Sequence, residues 1–260
     1  MENPFYPVEQ IDLDVAAIYA DFLPETIFDA HVHMYQRAAI PSFRGERSPF
    51  VRSAASPQAY EFDMSPFLPG VTSMRMNMMP MPDPAMSELQ SGLREGANGY
   101  VSRLLQENTG HTGCAYVLAS DNEDQITDLI AKSGVHGIKC YSYGAGKVET
   151  ETLAVGEYLP EAAWVVANSL RLPIILHLMR PLALLDPDNL SYVTTMSHRY
   201  PNAQLVLAHC ARGFAAWTSV KAIRELVDNG NVWFDLSSIC EPSPMMACII
   251  KNAGERTMWG

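Results

Sequence analysis

At 260 residues, 48% hydrophobic and 18% charged, the chain has material for one large α/β domain or two small ones, and its composition excludes a disordered type. A formal net charge of −11 argues against a general nucleic-acid binder and against binding to anionic membranes, since both partners reward basic surfaces. No secretory leader is visible in Met1 to Gln10, no apolar run approaches the ~20 residues that span a bilayer, and the five cysteines are dispersed like reduced core thiols, so a cytoplasmic protein is expected.

The first predicted strand is 27–33, Ile27-Phe28-Asp29-Ala30-His31-Val32-His33, an apolar run ending in two histidines one residue apart. Side chains alternate faces along a strand, so His31 and His33 point the same way, about 7 Å apart along it and within reach of one metal ion. Tyr35 to Pro69 breaks the rhythm with five prolines, no convincing period, and Arg37, Arg44, Arg47 and Arg52 with only Glu46 beside them. It reads as an insertion between the first two strands: a lid over the site, or a solvated excursion or subunit contact in a homo-oligomer.

Strands follow at 70–79, 112–119, 135–141, 172–178, 203–210, 231–237 and 256–260, alternating with helices whose ends are marked. Near 87–107, Leu89, Leu93, Ala97, Val101, Leu104 and Leu105 recur at helical spacing, and Ser87 with Gln90 makes a capping box. Asn122 and Gln125 offer a second box before Ile126, Leu129 and Ile130, with Gly134 as a stop. Pro160 opens a helix running through Trp164 to Leu170. Asp188 is the expected cap of a helix carrying Tyr192, Val193, Met196 and Tyr200, which Pro201 ends. Val220, Ile223, Leu226 and Val227 form another stripe closed by Asn229-Gly230, and Ser243-Pro244 starts a last helix that stops near Gly254.

Such alternation implies parallel strands joined by crossovers, and several strands are apolar almost throughout, as strands buried on both faces should be. Eight strand slots favour a TIM-type (β/α)8 barrel over an open doubly wound sheet, whose glycine-rich phosphate loop is missing after the first strand. In a barrel every strand delivers its carboxyl end to one rim. Ile174-Ile175-Leu176-His177 and Leu207-Ala208-His209 also end in histidine, so four of the seven histidines converge there. Neutral imidazole suits zinc, iron, manganese or nickel, and three histidines leave room for a carboxylate or water. A lone strand histidine is more often a hydrogen-bonded core residue; four at one rim are better explained by a metal. His111 and His136 fall at the opposite end and His198 on a helix.

Taken in order, Phe28-Asp29-Ala30-His31-Val32-His33, Ile175-Leu176-His177, Leu207-Ala208-His209 and Val232-Trp233-Phe234-Asp235-Leu236-Ser237 resemble the metal-dependent amidohydrolase superfamily. More narrowly they are similar to its amidohydrolase-2 branch, which includes aminocarboxymuconate-semialdehyde decarboxylase and related lactonases. Over about residues 26–260 the resemblance implies a distorted TIM barrel with one divalent metal held by His31, His33 and His177. Zinc is the first choice, Mn2+ or Fe2+ the alternatives, and His209 polarises the substrate or handles a proton. In that family the eighth strand ends in Gly-Ser-Asp, whose aspartate binds the metal and serves as base. This sequence ends at Thr257-Met258-Trp259-Gly260. The expectation is therefore a barrel incomplete at its eighth strand and helix, and impaired turnover; Asp235 is acidic and near the seventh rim, but the motif does not place it in the missing role.

Around this centre, Lys139 in Gly137-Ile138-Lys139-Cys140-Tyr141 ends the fourth strand. Binuclear relatives carbamylate a lysine there; a cationic substrate contact is preferred here, because an ammonium suits an anionic ligand. Tyr141 shares its face, Arg180 and Arg212 each follow a rim histidine by three residues, and Arg75 is expected to point inward while Met74, Met76 and Met78 face the helices. Four cations in an otherwise acidic protein suggest a carboxylate-bearing small-molecule substrate, with structural ion pairs across the rim as the alternative. The functional expectation is a hydrolase of a small amide or lactone, with a non-oxidative decarboxylase or a catalytically impaired remnant as alternatives. A cupin is set aside because the helical stripes do not suit an all-β chain, and a copper site in the methionine run Met74 to Met86 because core packing explains it better.

Overall fold

The computed structural model describes residues 7–40, 52–83, 92–147, 149–212, 216–226, 228–239, 251 and 254–260. All eight predicted strands form: β1 (Thr26–Gln36), β3 (Ser73–Pro80), β4 (Thr112–Tyr116), β5 (Gly137–Cys140), β6 (Pro173–Leu176), β7 (Gln204–Leu207), β8 (Val232–Asp235) and β9 (Thr257–Met258). They lie side by side in sequence order, each parallel to the next, and a short β2 (Ala54–Ala55) adds antiparallel to the end of β1. Beyond β9, the Trp259 carbonyl accepts from Ala30 N–H at 2.9 Å. The first and last parallel strands thereby meet, in a TIM-type arrangement whose eighth strand is two residues long.

Two apolar layers follow from the strand parity. Met76, Met78, Ile138, Ile174, Leu176, Leu205, Leu207 and Phe234 face outward and pack with helix residues such as Ile126, Trp164 and Val193. Met79, Cys114, Ile175, Val206 and Ala208 face inward with Trp233 and Met258. Each such large side chain, fully buried, contributes about 1.5–3 kcal/mol, so the outer layer carries most of the fold and the inner one shapes the lumen. The cysteines Cys114 and Cys140 are free and buried and Cys210 is buried, and among the described residues no helix is long and apolar enough to cross a membrane.

Helices α3 (Leu93–Glu107), α4 (Glu123–Ser133), α5 (Glu161–Leu170), α6 (Pro187–Arg199) and α7 (Ala216–Ile223) fill the expected crossovers. The Asn122/Gln125 box caps α4, and Gly134 closes it at φ 65°, a left-handed turn that glycine adopts freely. Two boundaries differ from the sequence reading. Asp186, not Asp188, caps α6: its Oδ1 accepts from the amides of Asp188 and Asn189, and Pro187 takes the first helical position. The segment after β1 is not structureless either, since Ser56 caps α2 (Pro57–Met64) through the Ala59 amide. Ser56-Pro57 is itself a helix-start signal, masked in the sequence by the poor periodicity around it. An amino-terminal helix α1 (Gln10–Tyr19) is also present, with Ala16 as its buried residue; so little of it enters the core that no apolar stripe marks it. The Ser87/Gln90 box and the Ser243-Pro244 helix start lie outside the described residues.

Candidate metal centre

The site forms where β1, β5, β6, β7 and β8 end. Between Asp29 and Val32, β1 advances three residues while its partner β3 advances two, from Met76 to Met78. This one-residue bulge re-aims the strand. Phe28 and Ala30 line the lower lumen, while His31 and His33 both turn into the upper one. Their Nε2 atoms are 3.2 Å apart. The expected common face is correct.

Five aromatic rings then close a circuit. Centroid separations run His33–His31 5.0 Å, His31–His209 4.9 Å, His209–His177 5.1 Å, His177–Tyr141 5.5 Å and Tyr141–His33 6.2 Å. Buried Lys139 lies beneath them, its Nζ 3.5 Å from His31 Nε2 and 4.6 Å from the Tyr141 ring centre. Four histidines from three separate stretches of sequence thus share one centre.

Hydrogen-bond partners set the tautomers. His31 Nδ1 is 2.8 Å from Asp235 Oδ2, an oxygen that can only accept while the carboxylate is ionised, so Nδ1 carries the proton and Nε2 keeps a lone pair. Likewise His33 Nδ1 donates to the Pro80 carbonyl at 3.2 Å, and its Nε2 accepts from the Tyr141 hydroxyl at 3.0 Å. Two lone-pair nitrogens therefore lie 3.2 Å apart, with the Tyr141 hydroxyl beside His33 Nε2 and the Lys139 Nζ 3.5 Å from His31 Nε2. Nitrogens bound at about 2.05 Å around a tetrahedral ion sit about 3.3 Å apart, so the spacing fits a shared metal. His177 Nδ1 is buried without a hydrogen-bond partner, a second nitrogen awaiting an acceptor of its lone pair or proton. Among the described residues, the ligand-type atoms that all lie within 4.8 Å of one another come from His31, His209 and Asp235; the His31 and His33 spacing fits a metal, and His177 stands outside that tight group.

Burial sets the charge states. It pushes the His33 and His177 rings well below the usual imidazole range, with neighbouring cationic groups adding to the effect. His31 is lowered too, by burial first and Lys139 second, against the pull of Asp235. Burial opposes ionisation of Asp235, but His31 and the hydrogen bonds from His31 and Ser237 hold its carboxyl well below the ordinary range. The pair is accordingly a carboxylate with a neutral imidazole. Burial also brings His209 down to about 4 and Lys139 down to about 8. Neutral imidazoles are what metal ligation requires.

Several contacts lie beyond the sequence reading. Asp235 is buried in the site, and with His31 and His209 it brings ligand-type atoms within 4.8 Å of one another. Its Oδ1 accepts from the His209 amide at 2.9 Å and the Ser237 amide at 3.1 Å, and also from the Ser237 hydroxyl. Ser237 Oγ in turn accepts from His209 Nδ1 at 2.7 Å. The available signal was parity: Trp233, Asp235 and Ser237 share the inward face. Asp29, also buried, accepts from the His31 amide at 2.9 Å and from the Tyr60 hydroxyl of α2; burial raises its carboxyl pKa.

The predicted cations divide. Lys139 and Tyr141 are in the site. Arg75 has the inward parity but stands at the amino end of β3, exposed, donating to the Gly110 carbonyl at 2.5 Å, so the expected rim position is corrected. Arg180 pairs with Asp186 at 2.8 Å and Asp188 at 3.0 Å, the ion-pair alternative rather than an open cation. Arg212 is half-buried, donates to the Arg180 carbonyl at 2.6 Å, and its charge is felt at His177. Of the histidines set aside, His111 accepts the Met76 amide at 3.2 Å at the far end of the lumen, His136 lines the cavity there, and His198 donates to the Thr194 carbonyl of its own helix.

A family model described as Amidohydrolase matches residues 28–260. The chain belongs to the amidohydrolase family. Members of this superfamily use divalent metals, in keeping with the donors assembled here. Among solved structures, the 5-carboxyvanillate decarboxylase LigW from Sphingomonas paucimobilis is similar at a TM-score of 0.61 and 13% identity, over 91% of this chain and 88% of that one. An amidohydrolase 2 from Bifidobacterium longum subsp. infantis gives 0.60 and 14%, over 91% and 84%. A 2,6-dihydroxybenzoate decarboxylase from Rhizobium gives 0.51 and 14%, over 92% and 87%. At these identities the likeness is one of fold. A search of the curated proteins finds no match.

Proposed function

We propose that this protein is a metal-dependent hydrolase of a small, carboxylate-bearing amide or lactone, with one divalent ion held by His31, His33 and His177 and zinc as its first choice. The observation that carries the reading is the pair of lone-pair nitrogens, His31 Nε2 and His33 Nε2, held 3.2 Å apart. A divalent ion bound there supplies Lewis acidity toward a carbonyl and a more acidic water. The chain's own groups do the rest. His209 anchors Nδ1 on Ser237 and keeps Nε2 as a lone pair; neutral at pH 7, it takes a proton rather than giving one in the resting state. The Tyr141 hydroxyl and the Lys139 ammonium are donors suited to a substrate carboxylate or a developing oxyanion. Arg212 lends positive potential from the His177 side.

Non-oxidative decarboxylation is the second reading. It is favoured by the same donor pair beneath the rings and by the two fold neighbours described as decarboxylases. Trapped carbon dioxide against a new carboxylate separates the two on any substrate that turns over. The metal assignment has its own test: elemental analysis of purified protein should find about one equivalent of divalent ion, largely lost in His177→Ala. Unchanged metal content in that variant removes His177 from the ligand set.

A further inference from the structure

The residues on either side of the His31 ring are tied to a single carboxylate. We propose that Asp235 is a positioning residue that holds the two sides of the site in one frame, Oδ2 fixing the His31 ring and Oδ1 tethering the turn that carries His209. The inference deepens the metal reading above and rests on it.

Four donors meet this carboxylate: His31 Nδ1, the His209 and Ser237 amides, and the Ser237 hydroxyl. Three of them converge on Oδ1 and the fourth on Oδ2, so each oxygen holds a neighbour in place. Its oxygens also lie near ligand-type atoms of His31 and His209, and the saturated Co2+ spectrum tells a positioning carboxylate from a ligand. A His31 ring with Nδ1–H fixed on a carboxylate presents Nε2 as a more basic lone pair in one orientation.

The second prong meets an unusual backbone. His209, Cys210, Ala211 and Arg212 have φ of 54°, 48°, 61° and 68°, a left-handed turn of four successive residues with none of them glycine. L-residues enter this region singly and at a cost, so four in a row persist only where the surroundings hold them. The first amide of the turn donates to Asp235 Oδ1 at 2.9 Å. Its last amide donates to the Ala208 carbonyl at 3.2 Å, and the Arg212 guanidinium to the Arg180 carbonyl. Through Ser237, whose hydroxyl donates to Asp235 and accepts from His209 Nδ1, the same carboxylate also orients the His209 ring. The Nε2 of His31 and the ring of His209 are set by one anchor, so losing it disturbs ligand and proton acceptor together.

The test uses Co2+ as the probe, with its visible spectrum as readout, on the full chain and the variants Asp235→Asn, Ala211→Gly, the double variant and His177→Ala. Asp235→Asn is expected to weaken Co2+ binding about 10–100-fold while leaving the spectrum at saturation unchanged in shape, because the ligand set is intact. Adding Ala211→Gly should recover thermal stability lost in Asp235→Asn, by relieving the turn, without recovering Co2+ affinity. Wild-type affinity in Asp235→Asn overturns the proposal, as does a saturated spectrum altered in the manner of His177→Ala, which would make Asp235 a ligand. Long-range proton–nitrogen correlation spectra of the metal-free protein give a readout independent of metal and of variant folding. They should show His31 as the Nδ1–H tautomer, and an Nε2–H tautomer sinks the tether. Failure of the wild-type chain to bind Co2+ would instead sink the metal reading, and the tether then stands or falls on that tautomer.

Discussion

The two ends of the barrel are built from the same strands and differ in almost everything else. At the carboxyl ends, His31, Lys139 and Asp235 are buried and joined by hydrogen bonds, and the rings of His33, Tyr141, His177 and His209 close around them. At the amino ends, Phe28, Ala30, Pro173, Ile175, Val206 and Met258 line an apolar cavity of about 300 Å³ with Asn77, Thr112 and His136 among them. Burying polar groups is costly unless each finds a partner. The upper end meets that demand through mutual contacts, with His177 Nδ1 left unpaired, whereas the lower end avoids the demand by staying apolar. Chemistry is expected where the unmet demand remains.

The sharpest way to test this contrast is to remove the cation at the upper end. Lys139→Met should lower kcat/KM for an anionic substrate about 10–100-fold, the worth of a charge-assisted hydrogen bond of roughly 1.5–3 kcal/mol, as steady-state kinetics would show. The same change should stabilise the metal-free fold. Burial lowers the Lys139 pKa from 10.5 to about 8, so the unfolded chain binds the proton more tightly, and the penalty is fully present below pH 8 and relieved as pH rises toward 10.5. Denaturant titrations should find Lys139→Met ahead by on the order of 3 kcal/mol at pH 7, with the advantage shrinking through pH 8–10.5. A constant advantage across that range would mean the lysine is not held in the buried state described.

A smaller effect is expected from Ala211→Gly. Its φ of 61° suits glycine, and relief of the left-handed strain, partly offset by a more flexible unfolded chain and a lost buried methyl, should stabilise by about 1 kcal/mol. Chemical denaturation checks it, and destabilisation would show that the turn carries no strain. Smallest of all is Arg75→Ala at the lower end. Stability should stay within about 0.5 kcal/mol of wild type, and metal content and turnover should not change. A loss of activity there would erase the distinction between the two ends.

Much of this arrangement was legible in the chain. Period-two runs and helix caps such as Asn122/Gln125 and Gly134 are local, and each survives into the structure because strand parity and capping depend on neighbours a few residues away. Histidines at the ends of apolar runs were equally readable, since parallel strands must deliver their ends to one rim. Asp235 was harder, because its partners His31 and His209 lie 204 and 26 residues away, and an inward parity alone does not say what a side chain meets. Arg75 shows the same gap from the other side: parity put it inward, but only its depth along β3 decided that it would bond Gly110 rather than the site.

By itself the sequence determined which side of each strand a residue occupies and that four histidines share one end, because both follow from the chemistry of short peptide stretches and from chain direction. Tertiary structure alone decided that the Nε2 atoms of His31 and His33 would come within 3.2 Å, that Lys139 would lie beneath them and that Asp235 would join His31 to His209. Those outcomes depend on a bulge in β1 and on strands far apart in the chain meeting side by side, and neither is a property of any local segment.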